Sequence, residues 1–217
     1  LIKWTELNHI SLNAEKTKFV LITTRQKRQK LNDNLPDILI KNSKIENVES
    51  HKLLGVVVDN NLSWAQHINQ LTKRVSKKIF QLSKIKHFLS LHARKQFFHA
   101  HIKASIDYAS TVWDGCSDNI LKPLVRSYRR ALKLILLKSS SLTTEDYKCL
   151  DILPLKEKLR YNKGILMHKI MSNMVPSNIV ELFSYNNKRH IHKIVLSKPP
   201  LELFKSSLHY SGGMMWN

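Results

Sequence analysis

The apolar pattern of the first sixty residues predicts a helix end followed by short strands. Residues 1–10 place apolar side chains at steps of three, near helical spacing, before polar residues stop the pattern. Thr17 to Thr24 is short and rich in β-branched and aromatic residues, which favours a strand. Asn42-Ser43 separates two short apolar runs, as in a hairpin, and Leu53 to Val58 is a further β-rich run that only Gly55 interrupts.

After Asp59 the apolar residues change to a helical period. They recur at steps of three or four over one long amphipathic helix, and these positions are Trp64, Ile68, Leu71, Val75, Ile79, Leu82, Ile85 and Leu89. A second helical pattern runs from about Ala93 to Tyr108, and a third from Ile120 to Ile135. The tryptophans at positions 4, 64 and 113 fall on the apolar side of their patterns, so we expect them to pack in the core.

Three consecutive serines at 139–141 mark a break after the third helix. Pro154 can open a fourth helix at its first turn. From Asn186 onward the chain is basic and proline-terminated, and we interpret it as a loop or extended tail. We therefore predict an α+β fold, in which a small antiparallel sheet or hairpin precedes a predominantly α-helical bundle, with regions at residues 1–60, 61–138 and 139–217.

The charge of the chain points to a polyanionic partner. Thirty-six Lys and Arg residues face sixteen Asp and Glu residues among 217, a formal net charge of +20. An anionic membrane would satisfy that charge, but no window holds the roughly 18 consecutive apolar residues of a spanning helix. Cys116 and Cys149 lie far apart without a partner at metal-ligand spacing, which indicates neither a disulfide framework nor a zinc ribbon.

Basic residues concentrate in the predicted helical bundle. Between Trp64 and Lys138 fifteen Lys and Arg face three Asp, a balance of +12. Two groups of basic residues recur at helical spacing, on a face other than that of the apolar positions. They are Lys73, Arg74, Lys77 and Lys78 on the first helix and Arg126, Arg129, Arg130 and Lys133 on the third. A solubilising face normally mixes both signs of charge, whereas a basic stripe can follow the phosphates of an RNA–DNA hybrid. We predict nucleic-acid binding.

Four segments contain spaced motifs that occur in a fixed order. The first resembles "LxxW…NxLxLNxxKT" and comprises Leu1, Trp4, Asn8–Asn13, Lys16 and Thr17. The second resembles "KxLGxxxDxxLxWxxHI" and comprises Lys52–Val56, Asp59, Leu62, Trp64, His67 and Ile68. The third resembles "I.YG..VW" and comprises Ile106–Tyr108, Val112 and Trp113. The last resembles "SF.Y.G..LWN.LP" and comprises Ser207–Gly213, Trp216 and Asn217. In this order the four segments resemble motifs of non-LTR (LINE-type, jockey-like) retrotransposon reverse transcriptases.

The resemblance implies an RNA-directed DNA polymerase with a palm and a thumb. It would make residues 1–60 the end of the palm with a primer-grip-like hairpin, 61–138 a thumb-like bundle, and 139–217 a C-terminal helical region and tail. The Mg²⁺-binding carboxylates of such polymerases lie upstream of the LNxxKT block, so we expect no catalytic residue, no metal and no polymerase activity in these residues alone. Expected partners are RNA and DNA as a template–primer hybrid, and the missing palm.

The resemblance also gives roles to individual residues. Lys16 matches a lysine near the phosphates of the incoming nucleotide, although a surface lysine beside a strand explains it equally. Lys52 and Gly55 fall in the block that resembles the primer grip, which holds the primer end, and a glycine in a strand permits close backbone approach. An ordinary glycine near a turn is the alternative.

Other polar groups are interpreted structurally. The adjacent acids Glu145 and Asp146 lack the surroundings of a two-metal site. We interpret them as a solvated helix start with Thr143 or Thr144 as the N-cap. The histidines at 87, 92, 99 and 101 lack metal-ligand spacing and read as helix-surface residues. The basic run at 25–30 is a phosphate-contacting loop, a nuclear-import signal or a solvated loop, so the compartment, nucleus or cytoplasm, stays open. An alternative function is a helical protein-interaction module co-opted from a retroelement.

Overall fold

The structure is a computed structural model that describes residues 2–31, 37–40, 43–188, 191–196, 198–199 and 202–217. Leu1 of the first motif and Asn42 of the predicted hairpin lie outside these residues. The chain divides into two compact units, Leu1–His67 and Ile68–Asn217. None of the described helices has the length and apolar content needed to cross a bilayer.

The first unit combines two short helices with paired strands. Helix α1 (Ile2–Leu7), strand β1 (Lys18–Phe19) and helix α2 (Arg25–Leu31) come first. Strands β2 (Leu39–Ile40), β3 (Ser43–Lys44), β4 (Glu46–Asn47), β5 (Ser50–Leu53) and β6 (Val56–Asp59) follow. β2 pairs with β3 and β5 with β6, both antiparallel, whereas β1 pairs with β4 in parallel.

Three predictions for this unit need correction. The predicted strand at Thr17 to Thr24 is formed only at Lys18–Phe19. The basic run at 25–30, which we expected to be irregular, lies in α2. The predicted run from Leu53 to Val58 folds back on itself, because Gly55 lies in the turn between β5 and β6 and not in a strand.

The second unit is built mainly of helices. The long predicted helix is α3 (Ala65–Ile85), which begins in the first unit and is followed by a 3₁₀ turn at Lys86–Phe88. α4 (Leu91–Phe97), a π-helical segment (Phe98–Lys103) and α5 (Ala104–Asp107) form the second predicted helix. α6 (Ser110–Trp113), α7 (Asp118–Leu136), α8 (Thr144–Leu150) and α9 (Leu155–Met171) follow.

The apolar stripes of α3 and α7 form much of the core. The predicted positions of α3 that are buried are Ile68, Leu71, Val75, Ile79 and Leu82. Phe98, Ile102 and Ile106 are buried along the second helix, and the Phe98 ring meets the Tyr128 ring of α7 edge to face at 5.5 Å. Trp113 is fully buried as predicted, but Trp4 is 57% exposed and Trp64 is only half-buried, so their assignment to the core was wrong.

The described residues of the C-terminal part include further strands and helices, contrary to the loop or extended tail predicted from Asn186 onward. This part contains α10 (Ser177–Val180), β7 (Tyr185–Lys188), β8 (Ile191–Ile194), α11 (Glu202–Lys205), a π-helical segment (Leu208–Gly212) and α12 (Gly213–Trp216). Met167 and Ile170 of α9 pack in one buried cluster with Phe183 and Ile194. The Asn217 side chain accepts a hydrogen bond from Ile194 N at 2.9 Å and donates one to Ile194 O at 3.0 Å.

The predicted fold class is confirmed. The chain is α+β, with two-stranded sheets preceding a predominantly helical part in the chain order.

Candidate nucleic-acid interface

One face of α3 carries only positive and neutral side chains. At 100° per residue, Lys73 and Lys77 lie directly opposite the buried stripe and Arg74 lies beside them. Lys78 is half-buried at the border of that stripe. α3 contains no Asp or Glu. We call Lys73, Arg74, Lys77 and Lys78, together with Lys84, the α3 basic face.

Lys84 and Phe80 extend this face beyond the residues that sequence reasoning selected. Lys84 lies seven residues after Lys77, two helical turns along the same side, and its ammonium group is 5.2 Å from the centre of the Phe80 ring. The Phe80 side chain is 58% exposed among these lysines. An exposed aromatic ring between basic residues can contact a base or sugar while its neighbours contact phosphates. Helical spacing alone could have selected both.

The α7 basic face comprises Arg126, Arg129, Arg130 and Lys133. All four lie opposite the buried residues of α7, and the three arginines are exposed. They line a groove of about 470 Å³ together with Ser141, Leu142 and Tyr147. Lys133 Nζ also donates to the Ser139 carbonyl at 3.3 Å, which ties this face to the loop after α7. We call this cavity the basic groove.

Four acidic side chains of the second unit are paired with lysines outside the two basic faces. The pairs are Lys103 and Lys158 with Asp107, Lys138 with Asp146, Lys156 with Asp118, and Lys163 with Asp114. Among the described residues, no ion pair involves a member of the α3 or α7 basic face. Both faces therefore keep their charge for an external anion.

The pair between Lys163 and Asp114 is structural. The two groups are 3.0 Å apart and their side chains are 12% and 6% exposed. Lys163 also donates to Ser211 Oγ at 2.9 Å, so the lysine joins α9 to the π-helical segment at Leu208–Gly212. Burial raises the pKa of Asp114, and Lys163 opposes that rise. Burial, with Asp114 nearby, raises the pKa of Cys116 to about 11, which keeps its thiol protonated.

The primer-grip-like block forms a tight hairpin. Leu54 and Gly55 join β5 to β6 with φ angles of 46° and 86°. Two positive φ angles in a two-residue loop are those of a type I′ turn, whose second position suits glycine. Lys52 is exposed on β5, opposite Val57. The hairpin geometry explains Gly55, whereas contact of Lys52 and Gly55 with a primer stays a prediction.

The other residues of that block stabilise the loop that leads into α3. The buried Asp59 carboxylate accepts hydrogen bonds from Asn61 N at 3.1 Å, Ser63 N at 3.0 Å and Trp64 N at 2.8 Å. These bonds hold Trp64 in a left-handed conformation, with φ of 64°. His67 Nδ1 accepts from Val57 N at 3.3 Å, which joins the start of α3 to β6. The residues of this second motif thus form one connected local structure.

Lys16 lies at the end of a turn that its motif neighbours build. Asn13 Oδ1 accepts from Lys16 N at 3.1 Å, and Thr17 Oγ1 donates to Asn13 O at 2.7 Å. Lys16 is exposed, so its ammonium group is available to solvent or phosphate. Its accessory role at a phosphate stays a prediction.

Glu145-Asp146 is a helix start, as predicted. Thr143 is the N-cap of α8 and forms a reciprocal capping box with Asp146. Lys138 Nζ lies 2.5 Å from the same carboxylate. The hydrogen bond from Lys138, followed by that from the Thr143 backbone, lowers the pKa of Asp146.

The basic run at 25–30 contributes one structural contact. Arg28 Nη2 donates to the Asn60 carbonyl at 2.9 Å, within the first unit. Lys27 and Lys30 are exposed on α2. A phosphate-contacting or import role for this helix stays a prediction.

The described residues contain no group of three or more His, Cys, Asp or Glu side chains that could hold a metal ion. Of the histidines considered from the sequence, His87, His92, His99 and His101 are all exposed. Burial, with Lys103 and Lys95 nearby, lowers the pKa of His99.

Comparison of the chain with protein-family models, with curated proteins and with solved structures gives no match.

Proposed function

We propose that this chain binds an RNA–DNA template–primer hybrid through its α3 and α7 basic faces, as the C-terminal part of a non-LTR, jockey-like retrotransposon reverse transcriptase. The observation that carries the proposal is the pairing of charges in the second unit. Four of its acidic side chains pair with lysines elsewhere, and no ion pair among the described residues involves either basic face.

The dimensions of the faces suit a nucleic-acid backbone. At 1.5 Å per residue, Lys73 to Lys84 covers about 16 Å of α3 and Arg126 to Lys133 about 10 Å of α7. Phosphates of one duplex strand follow one another every 3.4 Å or so along the axis, so each face can meet several of them. Release of counterions from those phosphates would supply most of the binding free energy.

Local structure at the motif residues supports the assignment to this family. Gly55 adopts a φ that glycine accommodates without strain. Ala109 follows Tyr108, where the third motif has glycine, and its φ of 49° is also one that glycine favours. At both positions the backbone has a conformation that glycine favours, and the motifs of the resembling family have glycine there. Common ancestry would produce this agreement.

Nucleic-acid binding of this kind includes no catalytic step and uses no metal or cofactor of this chain.

A salt titration tests the proposal. We expect the affinity for a fluorescent RNA–DNA hybrid, measured by anisotropy, to fall linearly on a log–log plot as salt rises. Replacing Lys73 and Lys77 by Gln removes two phosphate contacts, so the slope should decrease by about 2. No binding at low salt, or binding indifferent to salt, would contradict the proposal.

The matched control removes the same charge elsewhere. Arg160 and Lys169 are exposed on α9, outside both basic faces and without an ion pair among the described residues, and their double replacement by Gln should leave the slope near the wild-type value. Equal effects of the two double variants would mean that net charge, and not the α3 basic face, determines binding.

A further inference from the structure

Two neighbouring cavities share a wall in the second unit. The basic groove, of about 470 Å³, and a second cavity, of about 440 Å³, both include Leu142 and Tyr147 in their linings. Each volume is in the range of ordinary small-ligand pockets. Leu142 and Tyr147 thus separate two adjoining spaces of different chemistry.

The basic groove has the chemistry of a phosphate site. Arg126, Arg129, Arg130 and Lys133 line it with Ser141, and no carboxylate does. Guanidinium groups bind phosphate oxygens in bidentate fashion, which gives arginine both charge and geometry for this ligand.

The second cavity, which we call the apolar groove, has the chemistry of a base site. Ile152, Leu153 and Pro154 provide apolar surface beside the Tyr147 ring. The carboxylates of Asp151 and Glu157 also line it and outnumber the one lysine of the lining, Lys148. Such carboxylates accept hydrogen bonds from the amino groups of adenine, cytosine or guanine, whereas they would repel a second phosphate.

We propose that the two grooves together hold one unpaired nucleotide, with its phosphate in the basic groove and its base against Tyr147 in the apolar groove. A nucleotide is the ligand whose anionic and flat apolar parts match this pair of spaces. The inference rests on the proposed function and deepens it, because the bound ligand then includes a single-stranded end next to the hybrid.

The test compares a blunt RNA–DNA hybrid with the same hybrid extended by an unpaired adenine tail. We expect the wild-type chain to bind the tailed hybrid roughly tenfold more tightly, a factor typical of stacking one base on an aromatic ring. Tyr147→Ala should lose this gain and bind the tailed hybrid no more tightly than it binds the blunt one. Tyr147→Phe keeps the ring and should keep the gain.

Two further variants separate the local effect from a general one. Tyr161→Ala removes an exposed tyrosine of α9 that lines neither groove, so the gain should remain. Leu142→Asp places a negative charge in the shared wall and should abolish the gain even if Tyr147→Ala fails to fold.

The outcomes distinguish the two proposals. If the wild-type chain binds both hybrids equally and with salt dependence, or if Tyr147→Ala and Leu142→Asp keep the gain, the nucleotide site is wrong and hybrid binding stands. If neither hybrid binds at low salt, the proposed function fails and this inference fails with it.

Discussion

The ammonium group of Lys138 lies 2.5 Å from the carboxylate of Asp146, which also accepts a hydrogen bond from the Thr143 backbone at 2.7 Å. These contacts favour the ionised carboxylate and lower its pKa in the folded chain. The stabilisation that they provide is therefore present above the unfolded pKa, near 3.8, and is lost as the pH falls through the lower folded pKa.

Asp146→Asn should reduce stability at neutral pH and make the variant less sensitive to acid. The difference in unfolding free energy between wild type and variant should begin to shrink as the pH falls below about 4, and should vanish below the folded pKa, where the wild-type side chain is protonated and uncharged like that of the variant. Urea denaturation at a series of pH values measures it. A constant difference across the series would mean that the carboxylate charge contributes nothing.

Gly115→Ala and Gly164→Ala should change stability in opposite directions. A Cβ at Gly115 would lie 2.5 Å from the Ser206 carbonyl oxygen, so the backbone must shift, at a cost of about 1–3 kcal/mol. At Gly164, inside α9, the nearest atom is Met215 Cε at 3.6 Å, an ordinary contact, and alanine should stabilise the helix by up to about 1 kcal/mol. Thermal and urea denaturation compare the two, and destabilisation of equal size would contradict the described packing.

Ala109→Gly should stabilise the second unit by about 0.5–1 kcal/mol. Ala109 has a φ of 49°, where an L side chain is strained and glycine is not. Ala104→Gly is the matched control, because Ala104 is exposed in a right-handed helix and its replacement should cost about as much. If both glycines destabilise the chain, the strain at Ala109 is absent.

Asp59→Ala should loosen the loop before α3. The change leaves the backbone N–H groups of Asn61, Ser63 and Trp64 without their acceptor, at a cost of about 2–3 kcal/mol in total. Hydrogen exchange of these three amides should accelerate. Glu49→Ala removes an exposed acid of the same unit and should leave their exchange unchanged.

The long helices could be predicted from the sequence because burial follows a single period along them. Leu71, Val75 and Ile79 recur every four residues and are all buried in α3. The basic residues between them could be predicted for the same reason, since a position opposite the core is exposed. Phe80 was missed because an aromatic residue is normally counted with the core.

Other elements depend on contacts that no local pattern contains. The C-terminal part is held by pairs distant in the chain, such as Asn217 with Ile194, and by the close approach of Gly212 to Met167. α2 has few apolar residues to indicate a helix. The shared wall formed by Leu142 and Tyr147 could not be predicted either. The basic groove requires α7, the loop after it and α8 in their folded positions, and the apolar groove requires that loop, α8 and the start of α9.

The π-helical segment at Phe98–Lys103 determines which side chains face the core. In an α-helix a step of four residues advances about 40° past a full turn, whereas in a π-helix, with about 4.4 residues per turn, it falls about 30° short. The two deviations nearly cancel between Phe98, Ile102 and Ile106, so all three stay buried in one line. Removing one residue here would rewind the segment to α with little rotation of the residues that follow, because six residues of π-helix and five of α-helix turn through nearly the same angle, about 490° and about 500°. The wider winding thus acts as a spacer that absorbs one residue of chain length without disturbing the contact between Phe98 and Tyr128.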